Sequence, residues 1–192
     1  MIDLNSLNVK IFLDTANLEI IKNSLNNYPF IKGFTTNPSL MHKEGVKNYK
    51  EFCIKALKIS SNLPISFEVF SDDIKQMEEE ARIIHSWGGN SYVKIPITNT
   101  KNISTANIIK NLTKNGIKVN VTAIFTIEQI SSILDFFDGS TPAILSVFAG
   151  RIADSGVDPN KIMSECSKII SSKKNLELLW ASSRELLNIV HA

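Results

Sequence analysis

The chain has 192 residues, of which 43% are hydrophobic, and this is enough to bury a sizeable core within one domain. Its 21 Lys and Arg against 19 Asp and Glu give a net charge of +2, which does not favour a nucleic-acid or membrane partner. Apolar runs stay shorter than the roughly 18 residues of a membrane span, and residues 1–10 lack a signal-peptide core. Because the two cysteines stand apart, we expect one cytoplasmic domain over residues 1–192.

Short apolar runs rich in β-branched residues alternate with longer amphipathic stretches along the whole chain. The short runs predict seven strands, at 9–16, 31–36, 64–70, 91–97, 118–125, 143–149 and 176–182. The stretches between them predict seven helices, at 18–27, 46–61, 72–87, 104–115, 127–137, 158–172 and 184–191. Asp158 followed by Pro159 is a favourable helix start, and Gly116 is a favourable helix stop.

Strict alternation of strands and helices leaves two architectures, an open doubly wound sheet or a closed eight-stranded barrel. The sequence has no GxGxxG after the first strand and no GxxxxGK[ST], so nucleotide-binding open sheets lose support. We therefore expect an α/β fold of the (β/α)8 TIM-barrel type. Since such a barrel has eight strands and the pattern predicts seven, we expect the last βα unit to be missing from this chain.

Polar residues recur toward the carboxyl ends of the predicted strands, where (β/α) barrels assemble their active sites. In chain order they are Asp14, Thr35, Asn37, Glu68, Lys94, Asn120, Thr122, Ser146, Arg151, Ser182 and Arg184. A polar residue at one strand end would mean little, but a contribution from every strand favours a shared site.

Lys94 is the most informative of these residues because it interrupts the apolar run SYVKIPI. Burial disfavours the charged form of an amine, so a lysine inside a barrel can supply the neutral nucleophile that forms Schiff bases with carbonyl substrates. The alternative is a strand-end lysine whose ammonium reaches solvent.

Two carboxylates, Asp14 and Glu68, are predicted at the same rim and could supply the proton transfers of Schiff-base chemistry. The alternative for Asp14 is a cap on the following helix, and the alternative for Glu68 is an ion pair with a neighbour such as Lys94. The second alternative is compatible with catalysis.

Arg151, Ser182 and Arg184 predict a phosphate clamp, because guanidinium groups match phosphate oxygens and barrels often bind phosphate near their last strands. The alternative is that both arginines are ordinary surface residues. The histidines lack metal-ligand spacing, so the sequence predicts neither a metal site nor a cofactor.

Six motifs run in order through the chain. They are FLDTAN (12–17), GFTTNPSL (33–40), VKIP (93–96), NVTAIFT (120–126), VFAGRI (147–152) and WASSRE (180–185). In these motifs the chain resembles the transaldolases, especially the short subfamily that includes the fructose-6-phosphate aldolases. The resemblance implies sugar-phosphate substrates and allows a homo-oligomer.

The same resemblance implies a role for each candidate residue. Lys94 matches the Schiff-base lysine, and Asp14 matches the acid/base for the C4 hydroxyl. Glu68 and Thr122 match the pair that holds a catalytic water. The remaining matches are substrate-binding residues, at Thr35, Asn37, Asn120 and Ser146 for hydroxyls and at Arg151, Ser182 and Arg184 for phosphate.

Two positions separate the enzyme classes within this resemblance. The aldolases resemble a pattern of Gln and Tyr where this chain has Glu68 and Phe148, and Glu with Phe is the transaldolase combination. We therefore expect a transferase of the non-oxidative pentose phosphate pathway. A fructose-6-phosphate aldolase-like lyase and a non-catalytic sugar-phosphate-binding barrel are the two alternatives.

Overall fold

The computed structural model describes residues 8–192, so most of the segment considered as a signal peptide lies outside the described residues. Seven parallel strands form one sheet in chain order. They are β1 (Ile11–Asp14), β2 (Ile31–Thr35), β3 (Ile65–Glu68), β4 (Ser91–Pro96), β5 (Val119–Ile124), β6 (Ala143–Val147) and β7 (Leu176–Trp180). All seven predicted strands are confirmed, and each is shorter than predicted.

Helices connect the strands. They are α1 (Leu18–Asn27), α2 (Pro38–Lys43), α3 (Tyr49–Ile59), α4 (Ile74–Ser86), α5 (Ala106–Lys114), α6 (Ile127–Ile133) with a 3-10 turn (Leu134–Phe136), α7 (Ala149–Asp154), α8 (Pro159–Ile170) and α9 (Leu187–His191). The sequence pattern missed α2 and α7, because each has only six residues, fewer than two turns, and begins within three residues of a strand end. The last predicted helix starts at Leu187 rather than at Arg184.

Side-chain caps define several helix starts. The Asn17 side chain accepts hydrogen bonds from the first-turn amides of α1, so the alternative that Asp14 caps this helix is wrong. Asp158 caps α8 with Pro159 at its first position, as predicted. These caps leave the Asp14 carboxylate free to face other elements.

The sheet is curled, because its two outermost strands approach each other at their amino ends. Lys10 precedes β1, and its Nζ lies 2.5 Å from Oε1 of Glu177 in β7. Within residues 8–192, β1 and β7 are not hydrogen-bonded to each other, so the sheet is a half-barrel. The predicted α/β class and parallel order are confirmed, whereas closure into an eight-stranded TIM barrel is not.

Both faces of the central strands are buried, but they differ in chemistry. Successive side chains of a strand point to opposite faces. Phe67, Val93 and Val121 therefore share one face, and this face packs against the helices in the hydrophobic core. The opposite face, inside the curl, carries polar residues, including Lys94 and Asn120. No helix of residues 8–192 is long and apolar enough to cross a membrane.

Candidate active site

Lys94 lies in the middle of β4 and is only 9% exposed. Its Nζ lies 3.1 Å from Oε2 of Glu68 and donates to the Thr36 carbonyl at 3.4 Å. The alternative of a lysine reaching solvent is therefore wrong, and the ion pair with Lys94, which was the alternative for Glu68, is present. The two residues are register partners on β3 and β4, so the sheet itself fixes their separation.

The backbone around Glu68 is held from the side of α3 and α4. The Tyr49 hydroxyl donates to the Glu68 carbonyl at 2.7 Å. Burial raises the pKa of Tyr49 well above its ordinary value, so the phenol keeps the proton that it donates. Two residues further on, a Glu80 carboxylate oxygen accepts the Phe70 amide at 2.7 Å. These contacts restrict the strand end that carries the Glu68 carboxylate.

Asp14 lies at the exposed end of β1 and is held by the start of the next βα loop. Thr35 Oγ1 donates to Asp14 Oδ1 at 2.7 Å, and Asn37 Nδ2 approaches Oδ2 at 3.5 Å. Asn37 also caps α2 by accepting the Leu40 amide. The TTN segment at residues 35–37 therefore orients the Asp14 carboxylate at the rim, and its Asn37 side chain also starts α2.

Asn120 and Ser146 meet inside the curl. Ser146 Oγ donates to Asn120 Oδ1 at 2.6 Å, and Asn120 Nδ2 donates to Ser66 Oγ at 3.0 Å. All three residues are almost completely buried. Sequence analysis missed Ser66, although it lies two residues before Glu68 and alternation places both on one strand face.

Thr122 lies on β5 beside Pro96, two residues beyond the register partner of Lys94. Its hydroxyl is buried and has no hydrogen-bond partner among residues 8–192. Ala123 follows with a φ of 58°, and the pairing of β5 with β6 shifts at this point. This irregularity turns the strand end at the rim, next to the Thr122 hydroxyl.

Phe148 follows β6 and precedes α7, because the strand predicted at 143–149 ends two residues earlier, at Val147. Its ring contacts Phe125 edge-on with centroids 5.5 Å apart. The Arg151 guanidinium lies 4.9 Å from the centre of the Phe148 ring, within the range of cation–π attraction. The Phe148 ring therefore contacts both Phe125 and the Arg151 guanidinium.

Arg184 and Ser182 lie in the segment between β7 and α9. Arg184 Nε lies 3.1 Å from both carboxylate oxygens of Asp154, and Nη2 also contacts Oδ2. The hydrogen bond from Arg184 lowers the pKa of Asp154, and the charge of Arg151 adds to this effect. The structure thus brings both predicted arginines to α7, where Arg184 already has a carboxylate partner.

Close backbone packing fixes the segment that carries Arg184. The Gly150 amide donates to the Ala181 carbonyl at 3.2 Å, and a Cβ at Gly150 would overlap the Ser182 carbonyl oxygen. Ser182 itself has a φ of 61°. Among residues 8–192, His, Cys, Asp and Glu form no group of three that could hold a metal ion.

The model of the Transaldolase/Fructose-6-phosphate aldolase family matches residues 11–192. The chain belongs to this family. A protein of Streptococcus pyogenes serotype M5 named "Probable transaldolase" is 40% identical over 182 residues, which are 94% of this chain and 80% of that protein. A Thermoplasma volcanium protein of the same name is 37% identical over 187 residues, covering 96% of this chain and 79% of the relative.

A further family member, from Streptococcus equi subsp. zooepidemicus, is also named "Probable transaldolase". It is 40% identical over 162 residues, which are 84% of this chain and 71% of the relative. Among solved structures, dihydrodipicolinate synthase from Rhodopseudomonas palustris aligns with a TM-score of 0.46 at 12% identity. The alignment covers 88% of this chain and 62% of that structure.

Proposed function

We propose that this chain is a transaldolase-type transferase that moves a dihydroxyacetone unit from a ketose phosphate to an aldose phosphate through a Schiff base on Lys94. The observation that carries the proposal is the buried Lys94 amine 3.1 Å from the Glu68 carboxylate. A lysine amine forms Schiff bases with ketones, and an adjacent carboxylate can take the proton of its ammonium. We propose further that the reaction belongs to the non-oxidative pentose phosphate pathway in the cytoplasm.

Schiff-base formation is the first proposed step. Glu68 takes a proton from the Lys94 ammonium, and the neutral amine attacks the ketose C2 carbonyl to form a carbinolamine. Glu68 then returns this proton to the carbinolamine hydroxyl, which leaves as water, and the C=N bond of an iminium remains. Thr122 supports this step, because its buried hydroxyl has no partner among residues 8–192 and can bond the water that leaves.

Asp14 performs the proposed cleavage step. Its carboxylate takes the proton of the C4 hydroxyl, the C3–C4 bond breaks, and its electrons pass to the iminium nitrogen. The aldose phosphate leaves, and an enamine of dihydroxyacetone stays on Lys94. The hydrogen bond from Thr35 supports this role, because it holds the Asp14 carboxylate at the rim. Attack of the enamine on a second aldose phosphate and hydrolysis of the imine complete the transfer.

Substrate binding divides between two groups of residues. We propose that hydroxyls of the sugar bind to Thr35, Asn37, Asn120 and Ser146, and that the phosphate binds to Arg151, Ser182 and Arg184. The cation–π contact with Phe148 orients one arginine, and the Asp154 carboxylate orients the other. Both contacts restrict guanidinium groups before the phosphate arrives, which lowers the entropy cost of binding.

The second candidate is a fructose-6-phosphate aldolase-like lyase, which would protonate the enamine and release free dihydroxyacetone. Two observations favour transfer. Phe148 has no hydroxyl to assist protonation or water, and its ring is packed between Phe125 and Arg151. The relatives at 37–40% identity over most of the chain are named probable transaldolases.

Borohydride trapping tests the proposal directly. Incubation with fructose 6-phosphate and borohydride should attach a reduced three-carbon adduct to the peptide that contains Lys94, as read by mass spectrometry. Lys94→Met should abolish labelling. Lys118→Met is the matched control. Lys118 comes directly before β5 in the same sheet, but its Nζ donates to Asn90 Oδ1 at 2.8 Å instead of facing a carboxylate. Labelling of a different lysine in folded protein would refute the assignment.

A further inference from the structure

A buried hydrogen-bond chain connects β6, β5 and β3 inside the curl, running from Ser146 through Asn120 to Ser66. We propose that Ser66 is a positioning residue, which orients the Asn120 amide so that Asn120 and Ser146 select donors carrying hydroxyl groups. This inference rests on the proposed Schiff-base function. It assigns a role to a residue that does not itself have to touch substrate.

The Asn120 side chain is hydrogen-bonded to a serine hydroxyl at each end of its amide. Its Oδ1 accepts from Ser146 Oγ at 2.6 Å, and its Nδ2 donates to Ser66 Oγ at 3.0 Å. Asn120 is 0% exposed, and the two serines are 2% exposed or less, so water does not compete for these bonds. Ser66 therefore restrains the Asn120 side chain, because its hydroxyl oxygen accepts the hydrogen bond from the NH₂ end of the amide.

The orientation of the amide sets the hydrogen-bonding character of Ser146. A serine hydroxyl has one hydrogen to donate, and here that hydrogen goes to Asn120. Ser146 Oγ is then left with acceptor capacity, which suits a hydroxyl of the donor ketone. The second hydrogen of Asn120 Nδ2 is available to donate to a substrate oxygen. The pair thus presents one acceptor and one donor.

The Ser66 backbone also connects to the nucleophile. Its carbonyl oxygen accepts from the Thr36 amide at 3.1 Å and from Thr36 Oγ1 at 3.0 Å. The Thr36 carbonyl in turn accepts from Lys94 Nζ at 3.4 Å. Ser66 therefore contacts both the hydroxyl-binding pair and the segment that touches the lysine. Removing the Ser66 hydroxyl removes its hydrogen bond with Asn120. The hydrogen bonds from Thr36 remain, because the Ser66 backbone carbonyl accepts them.

Trapping with two ketones separates these roles. Dihydroxyacetone carries two hydroxyls, whereas acetone carries none, and both can form an imine with Lys94 that borohydride reduces to a secondary amine. Ser66→Ala should slow trapping by dihydroxyacetone about 10- to 100-fold, because a buried N–H loses its acceptor. Trapping by acetone should change by no more than about twofold. A merely structural role would slow both ketones alike.

Three further variants complete the test. Ser91→Ala is the matched control, because Ser91 is also buried in the sheet but its side chain makes no hydrogen bond within residues 8–192. Ser66→Thr keeps the hydroxyl and should restore trapping by dihydroxyacetone. Ser66→Cys, with a weaker acceptor of similar size, carries the test if the alanine variant does not fold.

The outcomes distinguish failure of this inference from failure of the proposed function. If neither ketone labels Lys94 in the unmodified protein, the Schiff-base proposal fails, and this inference falls with it. If both ketones label Lys94 but the Ser66→Ala and Ser66→Cys variants slow them equally or not at all, the positioning role is overturned and the Schiff base stands. Selective loss with dihydroxyacetone supports the proposal.

Discussion

Glu68 and Lys94 are register partners on adjacent parallel strands, and their charged groups lie 3.1 Å apart in the curl of the sheet. The side chain of Lys94 is 11% exposed and that of Glu68 is 23% exposed, so the pair is shielded from water on most sides. The backbone pairing of β3 with β4 keeps the Lys94 amine next to the Glu68 carboxylate. The relationship leads to a prediction about each partner.

Replacing Glu68 with Gln keeps the shape of the side chain and removes its ability to accept a proton from Lys94. We expect kcat to fall by about 10²–10⁴-fold, the range for loss of a general base. Stopped-flow measurement of imine formation should show the loss in that step. Glu51→Gln is the control, because it neutralises an exposed ion pair with Lys55 on α3 and should leave kcat unchanged. An unchanged imine rate in Glu68→Gln would exclude Glu68 as the base.

Arg151 and Arg184 should affect the binding of phosphorylated substrates only. Arg151→Ala and Arg184→Ala should each raise KM for phosphorylated donors by roughly tenfold or more and change KM for dihydroxyacetone little, because each removes a charge-assisted hydrogen bond to phosphate. Arg82→Ala, which removes an arginine paired with Glu78 on α4, provides the control. Equal losses with both classes of substrate would show that the arginines support the fold instead.

The carboxyl group of Asp154 should titrate below its ordinary range, because Arg184 donates hydrogen bonds to it and Arg151 adds positive charge. A lowered folded-state pKa means that the pair contributes its full stabilisation above the pKa of an unfolded Asp, and this is lost as pH falls through the lowered value. NMR titration of the carboxyl carbon can measure this. In Arg184→Ala the pKa should rise toward the ordinary value, and no change would contradict the pairing.

Gly150 should tolerate no larger residue, because a Cβ would overlap the Ser182 carbonyl. Gly150→Ala should lower the free energy of unfolding by about 3 kcal/mol, and KM for phosphorylated donors should rise as the segment with Arg184 moves. Gly156→Ala, just past the carboxyl end of α7, meets nothing within 4 Å but has a φ of +82°. It should cost about 1 kcal/mol without a change in KM. Chemical denaturation and steady-state kinetics compare the two.

The fate of the enamine should depend on Phe148. Transfer to erythrose 4-phosphate should be faster than release of free dihydroxyacetone, because no hydroxyl at this position assists protonation or water attack. Phe148→Tyr should shift the balance toward release, by an amount within the roughly 10²–10⁴-fold range of general acid help. Measuring free dihydroxyacetone with and without the acceptor gives the ratio. Faster release than transfer in the unmodified protein would favour the lyase.

Local patterns in the sequence were sufficient for the order and type of most elements. Apolar periodicity located all seven strands, and the Asp158–Pro159 pair located the start of α8. Both depend on neighbours along the chain, which a single sequence displays. The sequence pattern missed the short helices α2 and α7 because each has six residues, fewer than two turns, which is too few for a period to emerge.

Some features of the candidate site can also be predicted from the sequence. The polar residue types on the predicted strands, above all Lys94 in an apolar run, predict Schiff-base chemistry. Alternation in β3 could also have revealed Ser66, since it shares a face with Glu68.

Only the tertiary structure decided which of these side chains meet. The Tyr49 bond to the Glu68 carbonyl, the Ser66 bond to Asn120 and the Arg184 pair with Asp154 join residues 19, 54 and 30 positions apart. Such contacts depend on the curl of the sheet and on the rotation of each element about its axis, which spacing along the chain does not specify. The sequence by itself therefore determined the elements and the chemical groups, and packing determined their partners.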